Sequence, residues 1–530
     1  AGATGTVTLQ TDIATLIADS SIAGDMTVRE ADAITLQAVT ATDGEVDVQA
    51  GGTITATLVD ASAADRDITI DSVSGDILVT SILAGIGNLT ISASSGAITD
   101  LLADGLLDLQ GTNAILTTLT GIGDLEALEI EVATLAVDNQ GETGNIELVE
   151  ITDGLVITQA SQSNAASTGS VLISTADGDI TVNTAGVTLV GTGNINLVAG
   201  GVLRSIMLDA AVNTGNGDIT LLATDSVLQN ADVTSGAGFV LVDAAAGAFT
   251  MAPATTLSTE GPVRVNVGTD ITLVDLSSGG GDVTLLAGVD INLTGSVVSD
   301  TGTLDLVAAT GDITMDDGAV LQTDGADARL TANQNIVLGT LDTRIPADRA
   351  AGAADDIDDW GRVSLTAVNG SVTDAAADGD GVIDLYAFDL RISVADAVAT
   401  TTNHLEAEVR NLAVDATAGG VFLDNEGLLN VATVTPVTVN RVDAFGAVAP
   451  VVDAAPLTGV ISGTDIVLTA TDTITVTDTI TSIDNVLIES GGDIDIDAGV
   501  DADTGDISLL AAGSILIDAD VVTGNGVASG

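Results

Sequence analysis

A five-residue phrase, Gly-Asp-Ile-Thr-Leu, and its near variants return along most of the chain. It reads Gly24-Asp25-Met26-Thr27-Val28, Gly75-Asp76-Ile77-Leu78-Val79, Gly87-Asn88-Leu89-Thr90-Ile91, Gly144-Asn145-Ile146-Glu147-Leu148 and Gly178-Asp179-Ile180-Thr181-Val182, and it continues at Gly193, Gly217, Gly281, Gly311, Gly492 and Gly505. A turn at Gly-Asp or Gly-Asn followed by alternating apolar and polar residues is the pattern of a short strand with Ile and Leu on one face and Thr on the other. One copy is too small to bury that face alone, so copies must stack on one another. The predicted fold is all-β: an elongated solenoid, a right-handed parallel β-helix with about three short strands per coil. Stacking at ~4.8 Å per coil makes roughly 20 to 25 coils a rod on the order of 100 Å long.

Composition agrees with narrow stacked coils. Of the 530 residues 46% are hydrophobic but only 1% aromatic, and small or β-branched side chains dominate. These fit tightly spaced strands better than a globular core built on large side chains. The charge balance is extreme, with 76 acidic residues, 11 basic ones and a net charge of −65. Every basic residue is Arg, and clustered Lys and Arg are what nucleic acids and anionic membranes require of a partner. Nucleic acid is therefore excluded as a partner, while cations and saline surroundings suit the surface. The chain has no Cys, hence no disulfide or thiolate site. No apolar run is long enough for a transmembrane helix, and the aromatic girdles and longer strands of a membrane barrel are missing, so no direct membrane insertion is expected.

Two stretches break the rhythm. One carries Arg344-Ile345-Pro346 and Asp355-Asp356-Ile357-Asp358-Asp359-Trp360; the other carries Pro436, Arg441, Phe445, Pro450 and Pro456. Proline cannot donate to a strand ladder, so both are expected to be loops projecting from the coils or lids over them. The predicted organisation is β-helix repeats over 1–341, an inserted acidic loop over 342–362, repeats with aromatic-bearing segments over 363–435, a proline-containing inserted loop over 436–459, and repeats again over 460–530. The aromatic residues between 360 and 445 are expected mainly to pin loops onto the body. The pattern is already running at Thr6-Val7-Thr8-Leu9 and still running at Ser514-Ile515-Leu516-Ile517. Open ends of this kind are expected to stack lengthwise on further copies, or to belong to a longer polypeptide.

Chemistry-bearing patterns are few. The single His, His404, precedes the alternating segment Leu405-Glu406-Ala407-Glu408-Val409 and reads as an outward strand residue. No Gly-x-Ser-x-Gly elbow stands between a strand and a helix. Acid pairs of the kind glycosidases use are so abundant that none is informative. Calcium is the one inorganic partner with support, and no cofactor is required. Asp378-Gly379-Asp380-Gly381-Val382-Ile383-Asp384 matches the middle of an EF-hand-like loop, which makes Asp378, Asp380 and Asp384 the candidate metal ligands. The first ligand place falls on Ala376 and the twelfth on Ala387, so the bidentate Glu is absent.

The phrases Gly217-Asp218-Ile219-Thr220-Leu221 and Gly193-Asn194-Ile195-Asn196-Leu197-Val198-Ala199 resemble the filamentous-haemagglutinin-like and β-strand-repeat adhesins of bacterial surfaces. The resemblance implies a parallel β-helix exported to the cell surface as adhesin, filament, stalk or surface-layer material. Its partners would be itself or neighbouring surface proteins, lengthwise, and surface glycans. The chain departs from that family in its lack of Lys, its Asp excess and the absence of the amino-terminal secretion domain. The expected function is thus a non-enzymatic extracellular rod; the alternative is a carbohydrate-active β-helix enzyme of polysaccharide lyase or hydrolase type. An ice- or mineral-binding face is a third reading, disfavoured by the irregular repeat spacing.

Overall fold

The computed structural model describes residues 7–21, 23–350, 357–376 and 382–524. The chain forms two compact units, Ala1–Leu257 and Ser258–Gly530. Each is a stack of parallel coils, as the repeats predict. In the first unit the strand Ile195–Ala199 pairs in register with Val171–Thr175 on one side and Ile219–Ala223 on the other, placing Ile195 on Ile219 and Leu197 on Leu221. Two three-residue columns complete each coil, one through Ile180–Val182, Ile206–Leu208 and Val227–Gln229, the other through Val187–Leu189, Val212–Thr214 and Val233–Ser235. In the second unit Val263–Val267, Val283–Ala287, Leu304–Ala308 and Ala328–Ala332 stack in the same way. The alternating pattern sets the phase: Ile313 has no exposed surface whereas Thr314 is half-buried on the outside. Each buried Ile, Leu or Val contributes about 1.5–3 kcal/mol, and like stacks on like because every coil repeats the same phase.

Both recurring residues of the turn have a physical reason. A Cβ at Gly217 would lie 1.9 Å from the carbonyl oxygen of Gly193, and one at Gly193 would lie 1.8 Å from that of Gly169. Close approach of successive turns, rather than a left-handed backbone, demands glycine here. The Asp or Asn that follows bonds mainly to the neighbouring coil rather than to its own turn. In the first unit the Asn145 amide donates to Asp124 Oδ1, Ser170 to Asn145 Oδ1, Asn194 to Ser170 Oγ, Asp218 to Asn194 Oδ1 and Phe239 to Asp218 Oδ1, at 2.7–3.0 Å. The second unit builds the same ladder through Asp270, Asp290, Asp312, Asn335, Ser371 and Ala397, at 2.7–3.2 Å. Partners stand 20 to 26 residues apart, one coil, except Asn335 and Ser371, which are 36 apart because the acidic insert lies between them.

Each unit contains one place where the columns are reassigned. In the first, the long strands Leu109–Thr118 and Leu128–Asn139 run side by side. Below them Ile98 and Ile122 belong to one column and Leu109–Gly111 to another; above them Ile146–Glu150 takes over both, pairing with Ile122 and with Leu128–Ile130. The far half of Leu128–Asn139 passes through Leu155–Gln162, which divides into Ile180–Val182 and Val187–Leu189. The second unit repeats this arrangement. Leu385–Val394 and Leu405–Ala416 are its long strands, Val421–Asn425 joins the columns of Val398 and Leu405–Ala407, and the far half of Leu405–Ala416 divides into Leu429–Val431 and Val460–Ser462. The lengths match as well, 10 and 12 residues in both units.

The proline-containing insert leaves the second unit between those two divided columns and folds back over it. It is an antiparallel hairpin of Thr438–Val442 and Val448–Val452, with Asp443 Oδ1 holding the Phe445 and Ala447 amides at its tip. The Arg441 Nε donates to Asp305 Oδ2 at 2.7 Å, and Asp305, which has no exposed surface, is also gripped by Arg329 at 2.7 Å. The Val442 amide donates to Thr284 Oγ1, the Asn440 amide to Thr303 Oγ1, and Arg264 to the Val442 carbonyl. Val437, Val439 and Val442 are fully buried against the coils. Of the two expected forms, projecting loop or lid, this insert takes the second. The Asp443 amide bonds the Ala447 carbonyl and the Asp453 amide bonds the Val437 carbonyl, so by alternation the nitrogen of Pro450 faces away from its partner strand. The proline removes no ladder bond there and blunts an otherwise free edge.

Candidate functional site

The described part of the expected metal segment leads into the column reassignment of the second unit. Asp378 and Asp380 lie outside the described residues. Asp384 immediately precedes the long strand Leu385–Val394, and the structure brings it together with Asp374 and Glu406: one carboxylate oxygen from each lies within 4.8 Å of the others. Asp384 and Asp374 are 4% and 8% exposed. The Glu406 amide donates to Asp384 Oδ2 at 3.0 Å while the Asp384 amide donates to the Glu406 carbonyl, and the Ala376 amide caps Asp374. Burial first, then the neighbouring Asp374 and Glu406, pushes the Asp384 carboxyl up to about 9, so it holds a proton at neutral pH.

The first unit carries the same constellation. Asp100, Asp108 and Glu129 bring one oxygen each within 4.8 Å, the Glu129 amide donates to Asp108 Oδ2 at 3.1 Å, and the Asp108 amide donates to the Glu129 carbonyl. Burial pushes Asp108 up to about 8 and raises Glu129 as well. Asp374, Glu406 and this entire second set escaped the sequence reading. The signal was present: Ile98-Thr99-Asp100, Asp108-Leu109 and Leu128-Glu129 correspond in order to Val372-Thr373-Asp374, Asp384-Leu385 and Leu405-Glu406. It is a long-range repeat hidden beneath the short one. Chemically, three converging carboxyls at low exposure hold either a shared proton or a hard cation.

Beside the acids of the second unit lies an outer face with two hollows. One, of about 400 Å³, is lined by Val382, Ile383, Glu406, Asp424, Glu426 and Thr469 among others. The other, of about 530 Å³, includes His404, Phe422, Val467 and Leu487 in its lining. His404, expected as an outward strand residue, lies half-buried just before the strand Leu405–Ala416 and is not idle. Its Nδ1 lies 3.0 Å from Asp424 Oδ1, which also accepts from Thr469 Oγ1 at 2.6 Å, and its ring stacks on Phe422 with centroids 5.8 Å apart.

Trp360 and Tyr386 pin the described part of the acidic insert, the role expected of aromatic residues here. Trp360 is 4% exposed, its Nε1 donates to Asp348 Oδ2 at 2.8 Å, and its ring meets Tyr386 edge-on. Arg344 lies 3.5 Å over the Tyr386 ring while its guanidinium pairs with Asp342. Phe445 is the exception: at the hairpin tip it is 91% exposed. Set against protein-family models, curated proteins and solved structures, the chain matches none of them.

Proposed function

We propose that this chain is a non-enzymatic structural and adhesive solenoid of a bacterial-type cell surface, extracellular, engaging further copies or neighbouring surface proteins lengthwise or forming part of a longer polypeptide. The observation that carries this reading is the sustained stacking itself. Each coil of either unit repeats one apolar interior and one polar exterior, and the same side-chain ladder passes from turn to turn. Such a body adds length and surface, the two things a stalk or adhesin needs. The resemblance of its repeat phrases to those of β-strand-repeat adhesins supports the same reading. Two measurements test it: labelling of intact cells with an antibody against the chain, and sedimentation with electron microscopy of the isolated protein. Absence from the surface, or a lone monomer at high concentration with no glycan or protein retained, overturns it.

A second reading, a carbohydrate-active enzyme, is favoured by one observation. The Asp384 carboxyl, protonated at neutral pH, sits next to Glu406 at the edge of a hollow, which is the acid–base pairing a sugar-cleaving site uses. The low exposure of Asp384 keeps it from a polymer substrate, so the structural reading is preferred. Release of reducing ends from acidic or neutral polysaccharides, lost in Asp384→Asn, reverses the preference. Calcium remains the proposed ligand of the Asp378–Asp384 segment, supported by its alternating Asp spacing and by the unfavourable charge of a buried Asp384 carboxylate; calorimetric titration with calcium, with a chelator control, tests it.

A further inference from the structure

Within the second unit the outer face of the five-residue strands occurs in two conditions. Over Val263–Val267, Val283–Ala287 and Leu304–Ala308 it is covered by the hairpin strand Thr438–Val442. That strand crosses the coils rather than pairing with them. Its valines are buried, its Arg441 reaches an acid on the face, and two of its amides donate to threonine hydroxyls. The molecule therefore displays the kind of segment this face accepts: extended, apolar and carrying arginine.

Over Val421–Asn425, Ile466–Ala470, Val486–Ser490 and Ile507–Ala511 no hairpin strand among the described residues crosses the corresponding face. The second residues of these strands line up as Phe422, Val467, Leu487 and Ser508, and the fourth residues as Asp424, Thr469, Glu489 and Leu510. An apolar row thus lies beside a row holding two acids and a threonine. His404 closes one end against Phe422, and Asp465, Asn485 and Asp506 border the 530 Å³ hollow. Glu489, Ser508 and Leu510 are exposed. Phe422 is only 6% exposed, so no flat aromatic face is offered for a sugar ring to stack on.

We propose that this open face binds an extended segment of another protein in which valine-like residues alternate with Arg or Lys. The occupant is not the hairpin of a second copy, because Arg441 and the valines of that strand are already engaged by Asp305 and the coils of their own unit. Charge complementarity selects the basic residues, and the apolar row selects their neighbours. The proposal stands apart from the cell-surface reading and survives its failure.

The test is calorimetric titration of the full chain with a peptide of roughly ten residues alternating Val and Arg, a Ser/Arg peptide of equal charge, and a neutral oligosaccharide of glucose. The Val/Arg peptide is expected to bind about tenfold more tightly than Ser/Arg, and the double variant Leu487→Arg/Glu489→Lys, checked for an unchanged melting transition, to lose about tenfold in its affinity. Should that variant fail to fold, Ser508→Arg on the exposed end of the same row is expected to give the same loss. Equal affinity of the two peptides, which is attraction by net charge alone, overturns the proposal. So do unchanged binding in the folded variants and oligosaccharide binding that these substitutions abolish.

Discussion

Ile313 and Thr314 are adjacent in the chain and opposite in circumstance, one sealed inside the coil and one facing out. Ile313→Asp is expected to cost about 4 kcal/mol or more, because an unpaired carboxylate replaces a stacked methyl surface, and Thr314→Asp less than about 1 kcal/mol. Thermal melts compare them, and equal losses mean the strand phase is wrong. Titration provides a second test. The Asp384 carboxyl is raised to about 9 by burial, above its unfolded value near 4. The folded state therefore binds the extra proton between those values, so this group's contribution is fully present below about pH 4 and fades as the pH rises towards 9. Asp384→Asn, which keeps an acceptor for the Glu406 amide, is expected to melt higher than the parent at pH 9 and to flatten the decline between pH 5 and 9. A variant whose pH profile parallels the parent's sinks the assignment. The inward and outward places and the turn residues were legible from alternation alone. The Asp374–Asp384–Glu406 grouping was not, because Asp374 and Asp384 lie on successive columns of one coil, Glu406 comes from the next, and only the stacking register brings them together.

Strands and turns were readable because the five-residue phrase is local; the hairpin was half readable. Proline at 436, 450 and 456 announced an interruption of the ladder, yet nothing local could say that Arg441 would seek Asp305, 136 residues away. That contact depends on how many coils the insert doubles back over. The pair is a buried carboxylate between two arginines, so Asp305→Ala leaves Arg329 and Arg441 without their shared counter-charge. The expected cost is about 3–5 kcal/mol. Arg441→Ala is expected to cost less, since Arg329 still pairs with Asp305, but to release the hairpin to proteolysis near Phe445. Limited proteolysis of the two variants distinguishes loss of the hairpin's seat from loss of the coils beneath it. The column reassignments were missed for a related reason. A strand of 10 or 12 residues reads in sequence as one strand, and only pairing shows that it serves two columns at once.

For the chain as a whole, the governing quantity is charge: 76 acidic side chains against 11 arginines. Successive turns place Asp above Asp at coil spacing, as at Asp270, Asp290 and Asp312. Melting temperature is therefore expected to climb with NaCl as the repulsion is screened, and further with CaCl₂ at equal ionic strength if a divalent ion is held. A flat response to both removes the saline and the calcium interpretations together. The docked hairpin also bears on how the second unit meets mechanical load. In a bare stack, neighbouring coils are joined only by their own ladder bonds and apolar contacts, so a pull along the stacking direction would part them at whichever junction is weakest. Thr438–Val442 ties together the coils of Val263, Val283 and Leu304, and Arg391 holds the Ala455 carbonyl on the returning arm. Tension there is shared among several junctions rather than concentrated at one. The hairpin makes this stretch a splint, and single-molecule extension should find it among the last parts of the second unit to yield.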